Sequence, residues 1–325
     1  MSIEKKPLVN DLYTADPSAH VFNGKIYIYP SHDEDIDVEN NDNGDQYDMK
    51  DYHVYEMPDT ETYPRDCGCV LKLEDIPWAS KQLWAPDCVE KDGKYYFVFP
   101  ARDKEGFFRI GIAIGDKPEG PFKAEPNYIP GSYSIDPCMF PDTDGKYYLT
   151  FGGIWGGQLD QYRNNKWSAD NKEPKGDEEA CTAKIALMKD NMLEMAEEPK
   201  DIMILDENGK PLTGGDEARR YFEDPWMFKK GDTYYFTYST GTTHLLCYAT
   251  SKNVYGPYTY GGVILTPVLG WTTHHSILEF NGKWYLFYHD CERSGGVNQK
   301  RNIKFREMKF KEDGGIETMD GSIDK

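Results

Sequence analysis

Three carboxylic acids stand in similar surroundings at distant points of the chain. Asp16 and Asp136 each precede a proline, and Glu223 opens the phrase Glu-Asp-Pro-Trp. Carboxylates that share a confined site repel each other and raise the pKa of at least one member, which structure alone rarely requires. Such a set suits glycoside hydrolysis, in which one carboxylic acid protonates the leaving oxygen and one carboxylate activates water or attacks the anomeric carbon. The alternative is that each carboxylate caps its own local turn.

The acids can act together only if the fold brings them together, and an internal repeat indicates how. One phrase recurs five times: a short polar opening, a few apolar residues, a turn containing Gly and an aromatic strand. The copies are ADPSAHVFNGKIYIYP, APDCVEKDGKYYFVFP, DPCMFPDTDGKYYLTF, EDPWMFKKGDTYYFTY and HHSILEFNGKWYLFYH. Asn-Gly and Asp-Gly pairs supply the positive φ that tight hairpin turns require, so each copy predicts a β-hairpin.

A second phrase, which ends in Gly-Pro, follows several copies and predicts the outer strands of the same unit. Five repeats of about four strands predict an all-β chain that folds as a five-bladed β-propeller, with four-stranded antiparallel blades around a central channel. The innermost strand of each blade would line the channel, so the heads of the copies would face one shared site. No low-complexity linker divides the sequence, and residues 1–325 are therefore predicted to form a single domain.

Two insertions interrupt the spacing of the repeats. Residues 31–51 are dense in Asp, Glu and Asn but lack the Glu that an EF-hand calcium loop needs after its Gly. They are predicted to form a solvated loop. Residues 159–221 are charged and are predicted to carry extra strands or a flap. Residues 178–195, within that stretch, have the best helix-like pattern of a chain in which such patterns are scarce.

Charge and cysteine content exclude some partners. The chain of 325 residues has 37 Lys and Arg against 56 Asp and Glu, a net charge of −19, so neither nucleic acid nor an anionic membrane is an expected partner. Its start does not have the pattern of a secretory signal. Seven cysteines without a zinc-site spacing predict reduced thiols and a cytoplasmic location. A periplasmic or secreted location is the alternative if a leader has been removed.

Several segments together resemble glycoside hydrolase family 43. They are DLYTADPSAHVFNGKIYIYPSHD, LWAPDCVEKDGKYY, GSYSIDPCMFPDTDGKYYLTFGGIWGG, YFEDPWMFKKGDTYYFTYS and HHSILEFNGKWYLFYHD. Their order and spacing agree with the family from about Asp11 to Ile316. The resemblance implies a five-bladed propeller that acts mainly on xylosides and arabinofuranosides, with inversion at the anomeric carbon and no cofactor required for the chemistry.

The resemblance also implies a role for each acid. Asp16 matches the general base that deprotonates the attacking water, and Glu223 matches the general acid. Asp136 matches a third acid, which tunes the pKa of the general acid and orients it. The carboxyls of Asp16 and Glu223 are expected to lie roughly 6.5–9.5 Å apart, as inversion requires. Asp224 stands where the family often has Gly, and it would raise the pKa of Glu223 further if it faced the channel.

Two further residues have family counterparts. His274 aligns with a channel histidine that, in several members, helps to hold a calcium ion, mostly through waters. The alternative is a hydrogen-bonded core histidine, and calcium prefers oxygen ligands. Arg301 stands where the family often has an arginine that reaches the substrate, and a surface salt bridge is the alternative.

Tryptophans are the expected walls of the sugar subsite, because their faces stack on sugar rings. Core packing is the alternative for any single tryptophan. The candidates are Trp84, Trp155 and Trp226, followed by Trp78 and Trp271.

The sequence therefore predicts an inverting, exo-acting glycoside hydrolase that releases xylose from β-D-xylosides or xylo-oligosaccharides. An α-L-arabinofuranosidase, or an enzyme with both activities, acting on arabinose-substituted xylan or arabinan is the closest alternative. A sugar-binding propeller without catalysis is the alternative from another class, and the intact trio of acids argues against it. The expected partner is a xylo- or arabino-oligosaccharide, and the oligomeric state is left open.

Overall fold

The strands form five small sheets that surround a common axis. The computed structural model describes residues 2–322. In each sheet, neighbouring strands are antiparallel, apart from one short outermost strand of blade four that pairs in parallel, and the first long strand is the innermost. Each innermost strand contacts the innermost strands of both neighbouring sheets, which closes the ring. The chain is thus a five-bladed β-propeller, as the repeat predicted.

Blades one and two come from the first part of the chain. The strands of blade one, from the axis outward, are β1 (Tyr13–Phe22), β2 (Lys25–Asp33), β3 (Asp51–Met57) and β4 (Arg65–Lys72). The strands of blade two are β5 (Ala79–Lys81), β6 (Asp87–Lys91), β7 (Lys94–Asp103), β8 (Phe108–Gly115) and β9 (Lys123–Ala124). Both β5 and β6 pair with β7.

Blades three and four contain the long insertion. Blade three and its insertion comprise β10 (Cys138–Pro141), β11 (Tyr147–Phe151), β12 (Tyr162–Arg163), β13 (Lys166–Trp167), β14 (Lys184–Leu187) and β15 (Lys200–Asp201). Of these, β12 and β13 form a separate ribbon. Blade four comprises β16 (Ile204–Leu205), β17 (Glu223–Lys230), β18 (Thr233–Ser239), β19 (Leu246–Ser251) and β20 (Tyr258–Leu265). The insertion therefore supplies the outer strands of blade three, the outermost strand of blade four and one extra ribbon.

Blade five differs from the four-stranded prediction. Among the described residues it has three strands, β21 (His275–Phe280), β22 (Lys283–Asp290) and β23 (Asn302–Met308). The N-terminal segment runs along the free edge of β23, where the backbone N–H groups of Lys5 and Leu8 donate to Phe305 and Ile303 at 3.0 and 2.9 Å. The N-terminal segment therefore extends blade five beyond β23.

The hairpin turns explain why the repeats fold locally. In blade one, Asn23 and Gly24 have φ of 52° and 75°, and the Asp-Gly and Asn-Gly turns of blades two and five have the same pattern. Two successive positive φ values define a turn whose twist matches that of the flanking strands. The aromatic strands that follow bury their side chains in apolar clusters between neighbouring blades.

The helix-like pattern at residues 178–195 does not form a helix. It contains strand β14, three of whose four residues are buried and which pairs with β11. Pairing and burial against blade three outweigh the weak local preference. The helical turns of the described residues are short 3-10 segments at Leu73–Asp75, Trp155–Gly157 and Leu159–Gln161. Within residues 2–322, no helix is long and apolar enough to cross a membrane.

Candidate active site

A cavity of about 280 Å³ opens at the end of the channel where the inner strands begin. Asp16, Asp136 and Glu223 all line it, so the fold does bring the three acids into one site. The innermost strands surround the axis, and their first residues lie at the same end of the channel. In each antiparallel hairpin, the last residues of the second strand return to that same end. The heads of blades one, three, four and five therefore meet at one mouth.

Local backbone distortions turn the acids toward the axis. Asp16, Asp136 and Asp224 each precede a proline, and they have positive φ values of 52°, 55° and 65°. In β1 and β17 these residues coincide with shifts of the strand register. Such bulges re-aim side chains and are common beside active sites. Asp224 is thus the repeat equivalent of Asp16 and Asp136, and Glu223 stands one residue ahead of that position.

Asp16 is held as a carboxylate. Its Oδ1 lies 3.0 Å from Nη1 of Arg301, and its Oδ2 accepts a hydrogen bond from the hydroxyl of Ser31. Burial alone would raise the pKa of Asp16, but the charge of Arg301 and the neighbouring groups outweigh it and lower the pKa to about 2. A base must be ionised at neutral pH, and Asp16 satisfies that condition.

Glu223 is held as a carboxylic acid. Desolvation at the base of the cavity, followed by the negative charge of Asp16, raises the pKa of Glu223 to about 8. Arg301 acts in the opposite direction but does not cancel these effects. The opposed pKa values of Asp16 and Glu223 are the pattern by which one site holds a base and an acid at the same pH.

The two remaining acids are buried beside this pair. Burial and then the charge of Glu223 raise the pKa of Asp136 well above its usual value, while its Oδ2 accepts a hydrogen bond from the backbone N–H of Asp224 at 3.0 Å. The carboxylate of Asp224 does not line the cavity. It accepts hydrogen bonds from the backbone N–H of His275 at 3.0 Å and from the hydroxyl of Ser239 at 3.3 Å. The condition under which Asp224 would raise the pKa of Glu223 is therefore not met, and Asp224 is absent from the causes of that shift.

His274 stands among three carboxylates. Its Nδ1 lies 3.8 Å from Asp16 Oδ1 and 3.9 Å from Asp136 Oδ2, and its Nε2 lies 3.0 Å from Asp224 Oδ1. Burial first, and Arg301 in part, lowers the pKa of His274 to about 4, so the ring is neutral at neutral pH. No donor is aligned to hydrogen-bond the buried Oδ1 of Asp224. The site thus has several carboxylate oxygens around one neutral imidazole, and one of these oxygens lacks a hydrogen-bond donor. Such a set of ligand atoms fits a hard cation such as calcium.

Arg301 is anchored in the site and does not form a surface salt bridge. Its Nε and Nη2 donate to the two carboxylate oxygens of buried Asp33 at 2.9 and 2.7 Å, and its third nitrogen reaches Asp16. Its guanidinium also lies 4.9 Å from the ring centre of Tyr47. Arg301 lines the cavity, so it is positioned both to keep Asp16 ionised and to contact a bound ligand.

The tryptophans divide between the cavity wall and the core. Trp84, Trp155 and Trp271 line the cavity. Trp226 does not: its indole is 6% exposed, and its Nε1 donates to the Ile277 carbonyl between blades four and five. The prediction that Trp226 lines the sugar subsite was therefore wrong. Alternate residues of a strand face opposite sides, and Trp226 lies on the side that packs between blades. Trp78 packs in the core of blades one and two.

The acidic insertion near the start of the chain is part of the site. Gly44 and Tyr47 line the cavity. Trp84 Nε1 donates to the Tyr47 carbonyl at 2.9 Å, and the Gln82 side chain donates to the Gly44 carbonyl at the same distance. The prediction of a solvated loop was therefore wrong for its cavity-facing residues, because polar side chains of blade two supply its backbone with hydrogen bonds.

His289 is a site residue that the motif search did not select. It lines the cavity, its Nδ1 accepts the backbone N–H of Asp16 at 3.0 Å, and its Nε2 donates to the Thr272 carbonyl at 3.1 Å. Burial and then Arg301 lower the pKa of His289 to about 3, so it is neutral. The sequence did contain a signal for His289, because it is the last residue of the fifth repeat. A hairpin ends at the edge of the blade where it starts, so the last residue of a repeat lies beside the head that faces the cavity.

A propeller whose channel mouth holds an ionised base, a protonated acid and aromatic walls defines a glycoside hydrolase of the propeller class. The comparison with families agrees with that class. The chain belongs to glycoside hydrolase family 43, because the family model described as "Glycosyl hydrolases family 43" matches residues 5–316. The segments that carry the resemblance in sequence supply the three acids, Trp84 and His274 to the cavity.

Several related proteins match this chain over almost their whole length. A protein from Bacteroides ovatus described as a xylosidase/arabinosidase is 57% identical over 322 residues, which cover 99% of each chain. A β-xylosidase from Xylanibacter ruminicola is 52% identical over 94% of this chain and 97% of its own. A solved β-xylosidase/α-arabinofuranosidase from a compost metagenome, in complex with xylotriose and in a calcium-free form, superposes with a TM-score of 0.96. It is 55% identical and covers 100% of this chain and 99% of its own.

Proposed function

We propose that this protein is an inverting, exo-acting glycosidase that releases xylose from the ends of β-D-xylosides and xylo-oligosaccharides. The observation that carries the proposal is the opposed protonation of two acids in one cavity: Asp16 has a pKa of about 2 and Glu223 a pKa of about 8. The xylosidase names of relatives that are more than half identical support the choice of sugar.

The reaction follows from those two protonation states. The terminal sugar enters the cavity against the indoles of Trp84 and Trp155. Glu223 transfers its proton to the glycosidic oxygen as the bond between that oxygen and the anomeric carbon breaks. Asp16 accepts a proton from a water molecule as the water oxygen bonds to the anomeric carbon from the opposite face, which inverts the configuration. Asp16 then returns its proton to solvent, and Glu223 regains one.

Residues next to the two acids control the ionisation of the base and the orientation of both acids. Asp136 lies beside Glu223, whose charge helps to raise the pKa of Asp136, and its Oδ2 accepts the backbone N–H of Asp224, so Asp136 is placed to orient the segment that carries the acid. Arg301 keeps Asp16 ionised and lies where it can donate to a sugar hydroxyl. His289 fixes the backbone of Asp16 and hence the direction of the base.

A calcium ion in the channel is part of the proposal. His274 would hold it together with waters and the carboxylates of Asp16, Asp136 and Asp224. When bound, the ion would supply positive charge that offsets the crowded carboxylates. The proton transfers themselves need only the side chains of Asp16 and Glu223.

Release of α-L-arabinofuranosyl groups is a second activity at the same site. The relatives described as xylosidase/arabinosidase favour it. The cavity volume of about 280 Å³ lies at the small end for ligand pockets. A small cavity suits removal of single terminal sugars of either kind and disfavours cleavage within a long chain.

One set of assays tests these statements. We expect wild type to release 4-nitrophenol from the β-D-xyloside and, to a smaller extent, from the α-L-arabinofuranoside, and to convert xylotriose to xylose stepwise. NMR of the first product should show inverted configuration. Glu223→Ala should lower kcat on xylotriose by at least about 10²-fold, with a smaller loss on the nitrophenyl substrates, whose leaving group needs little protonation. A folded wild type without turnover of any of these substrates would refute the proposal and favour a binding propeller.

We also propose that the enzyme acts in the cytoplasm on imported oligosaccharides. Its seven cysteines are all free thiols, which supports a reducing compartment. Fractionation of the source cells with an antibody against the protein tests this, and recovery in the periplasmic or secreted fraction would contradict it.

A further inference from the structure

Two histidines and an aspartate lie together on the two middle strands of blade one, outside the cavity. His32 is near the end of β2, and Asp51 and His53 open β3. Because Ser31 pairs with Tyr52 across these antiparallel strands, His32 and Asp51 stand opposite each other, and His53 shares their face of the sheet. One potential ligand atom from each of the three residues lies within 4.8 Å of the others.

Hydrogen bonds hold both imidazole rings. His53 Nδ1 lies 3.0 Å from an oxygen of Asp66, which leaves Nε2 of His53 as its ligand atom. His32 Nδ1 lies 2.7 Å from Asp51 Oδ1. The carboxylate of Asp66, behind the His53 ring, stands where a metal-binding histidine usually has its outer partner, which fixes the ring and raises its basicity. The three side chains are 17%, 27% and 17% exposed, so an ion can reach them from solvent.

Unsatisfied hydroxyls next to this cluster are a second observation. Thr14 is the partner of His32 across β1 and β2, and its Oγ1 is buried without a hydrogen bond. The phenol oxygen of Tyr55 is also buried and unpaired, and its ring lies 6.4 Å from that of His53. Buried polar atoms are rarely left without a partner, so both point to water or an ion that belongs beside the histidines.

We propose that His32, Asp51 and His53 form a binding site for a divalent transition-metal ion of the zinc type. Imidazole nitrogens with one carboxylate suit zinc, nickel or copper, whereas calcium and magnesium prefer oxygen. Ligand atoms around a tetrahedral zinc ion lie roughly 3.3 Å apart, so small rotations of these side chains close the site and leave a fourth position for water. This site is separate from the channel, where His274 precedes the inner strand of blade five.

A metal here would tie β2 to β3 at a functional point of the fold. Ser31 and Asp33, on either side of His32, face the other side of β2 and hold Asp16 and Arg301. A bound ion therefore stabilises the end of the strand that supports the base. The expected effect is a higher melting temperature of blade one and of the whole chain, not a new chemical step.

Zinc titration of chelator-treated protein by calorimetry tests the site. The variants are His53→Gln, the control His244→Gln, which changes a histidine outside the cluster, and His274→Gln, which removes the channel histidine. We expect His53→Gln to weaken zinc binding by at least about tenfold, with His244→Gln and His274→Gln retaining the blade-one site. Zinc should raise the melting temperature of the wild type and of His244→Gln but not of His53→Gln.

The outcomes separate the alternatives. If His53→Gln binds zinc as wild type does, the proposal is wrong. If binding is lost only in His274→Gln, the ion belongs to the channel, and the proposal is equally wrong. Asp51→Asn serves as a second variant, and melting curves without metal show whether each variant is folded. Cobalt substitution gives an independent readout, because visible absorption reports tetrahedral nitrogen and oxygen ligands; its survival in His53→Gln would also overturn the assignment.

Discussion

At the scale of single residues, similar acids acquire different roles from their surroundings. Asp16 and Glu223 are neighbours in one cavity, yet Arg301 and Ser31 contact Asp16 while Glu223 receives desolvation and the charge of Asp16. The motifs predicted which acids meet in the cavity. They could not predict His289 or Asp33 as partners, because these residues act through contacts made across blades.

The pH dependence of kcat/KM should follow the two acids. Activity requires ionised Asp16 and protonated Glu223, so it falls as pH drops toward about 2 and as pH rises through about 8. Arg301 favours the ionised form of both acids, so Arg301→Met should raise both pKa values and move both limbs of the profile to higher pH. The profile on a nitrophenyl xyloside checks this. A shift of either limb to lower pH would contradict the electrostatic assignment.

Asp224 should act as a positioning residue. Its carboxylate holds His275 and approaches His274, but it does not set the pKa of Glu223. Its φ of 65° suits Gly, so Asp224→Gly keeps the backbone and its N–H bond to Asp136. We expect kcat to fall about tenfold or more with the alkaline limb unmoved, and Asp224→Asn to recover part of the loss. An alkaline limb that moves to lower pH in Asp224→Gly would show that Asp224 tunes the acid directly.

At the scale of elements, the repeat predicted the hairpins, and the hairpins place the site. The turn residues and the alternation of apolar and polar residues in a single copy are enough to predict a hairpin. The number of copies, five, is what predicts the ring. The conformation of the loop at residues 34–50 could not be predicted from its own sequence. It is held by hydrogen bonds from the side chains of Trp84, Gln82 and Arg102 of blade two. The same holds for Trp226, whose direction depends on which face of β17 packs against blade five.

Gly44 tests the contact between this loop and Trp84. A Cβ at Gly44 would lie 2.5 Å from Trp84 Cη2, so Gly44→Ala must displace the indole or the loop. We expect kcat/KM on xylotriose to fall about tenfold, mostly through KM. Gly93→Ala is the matched control, because Gly93 has the same φ of 75° with open space around its Cβ position. Equal effects of the two variants on kcat/KM would mean that backbone strain, not the wall, matters.

At the scale of the whole molecule, the crowded acids at the channel mouth lower the stability of the ring. Glu223 has a pKa of about 8 in the fold against an ordinary value near 4.5. Its stabilising contribution is therefore complete below the ordinary pKa and is lost as pH rises through about 8.

Replacement of the acid should then stabilise the protein selectively. Glu223→Gln removes the cost of ionising a desolvated acid, so we expect its melting temperature to exceed that of wild type by about 3 °C near pH 8, with little difference near pH 5. Differential scanning calorimetry at both pH values checks it, and an equal difference at both would point to packing instead of charge.

The N-terminal segment packs across the junction between blades one and five. Val9 is 3% exposed and packs with Ile3 and Leu8 in the apolar cluster between blades five and one. Val9→Ala should cost about 2 kcal/mol, from two buried carbons and the cavity they leave, and lower the melting temperature by about 3 °C. Val21→Ala is the control, since Val21 is 38% exposed on β1 and the same deletion there should cost little.

Because blade five carries His274 and Arg301 to the acids of the other blades, Val9→Ala should also lose activity at a lower temperature than Val21→Ala. Loss of activity at the same temperature in both variants would show that the site does not depend on the packing of Val9.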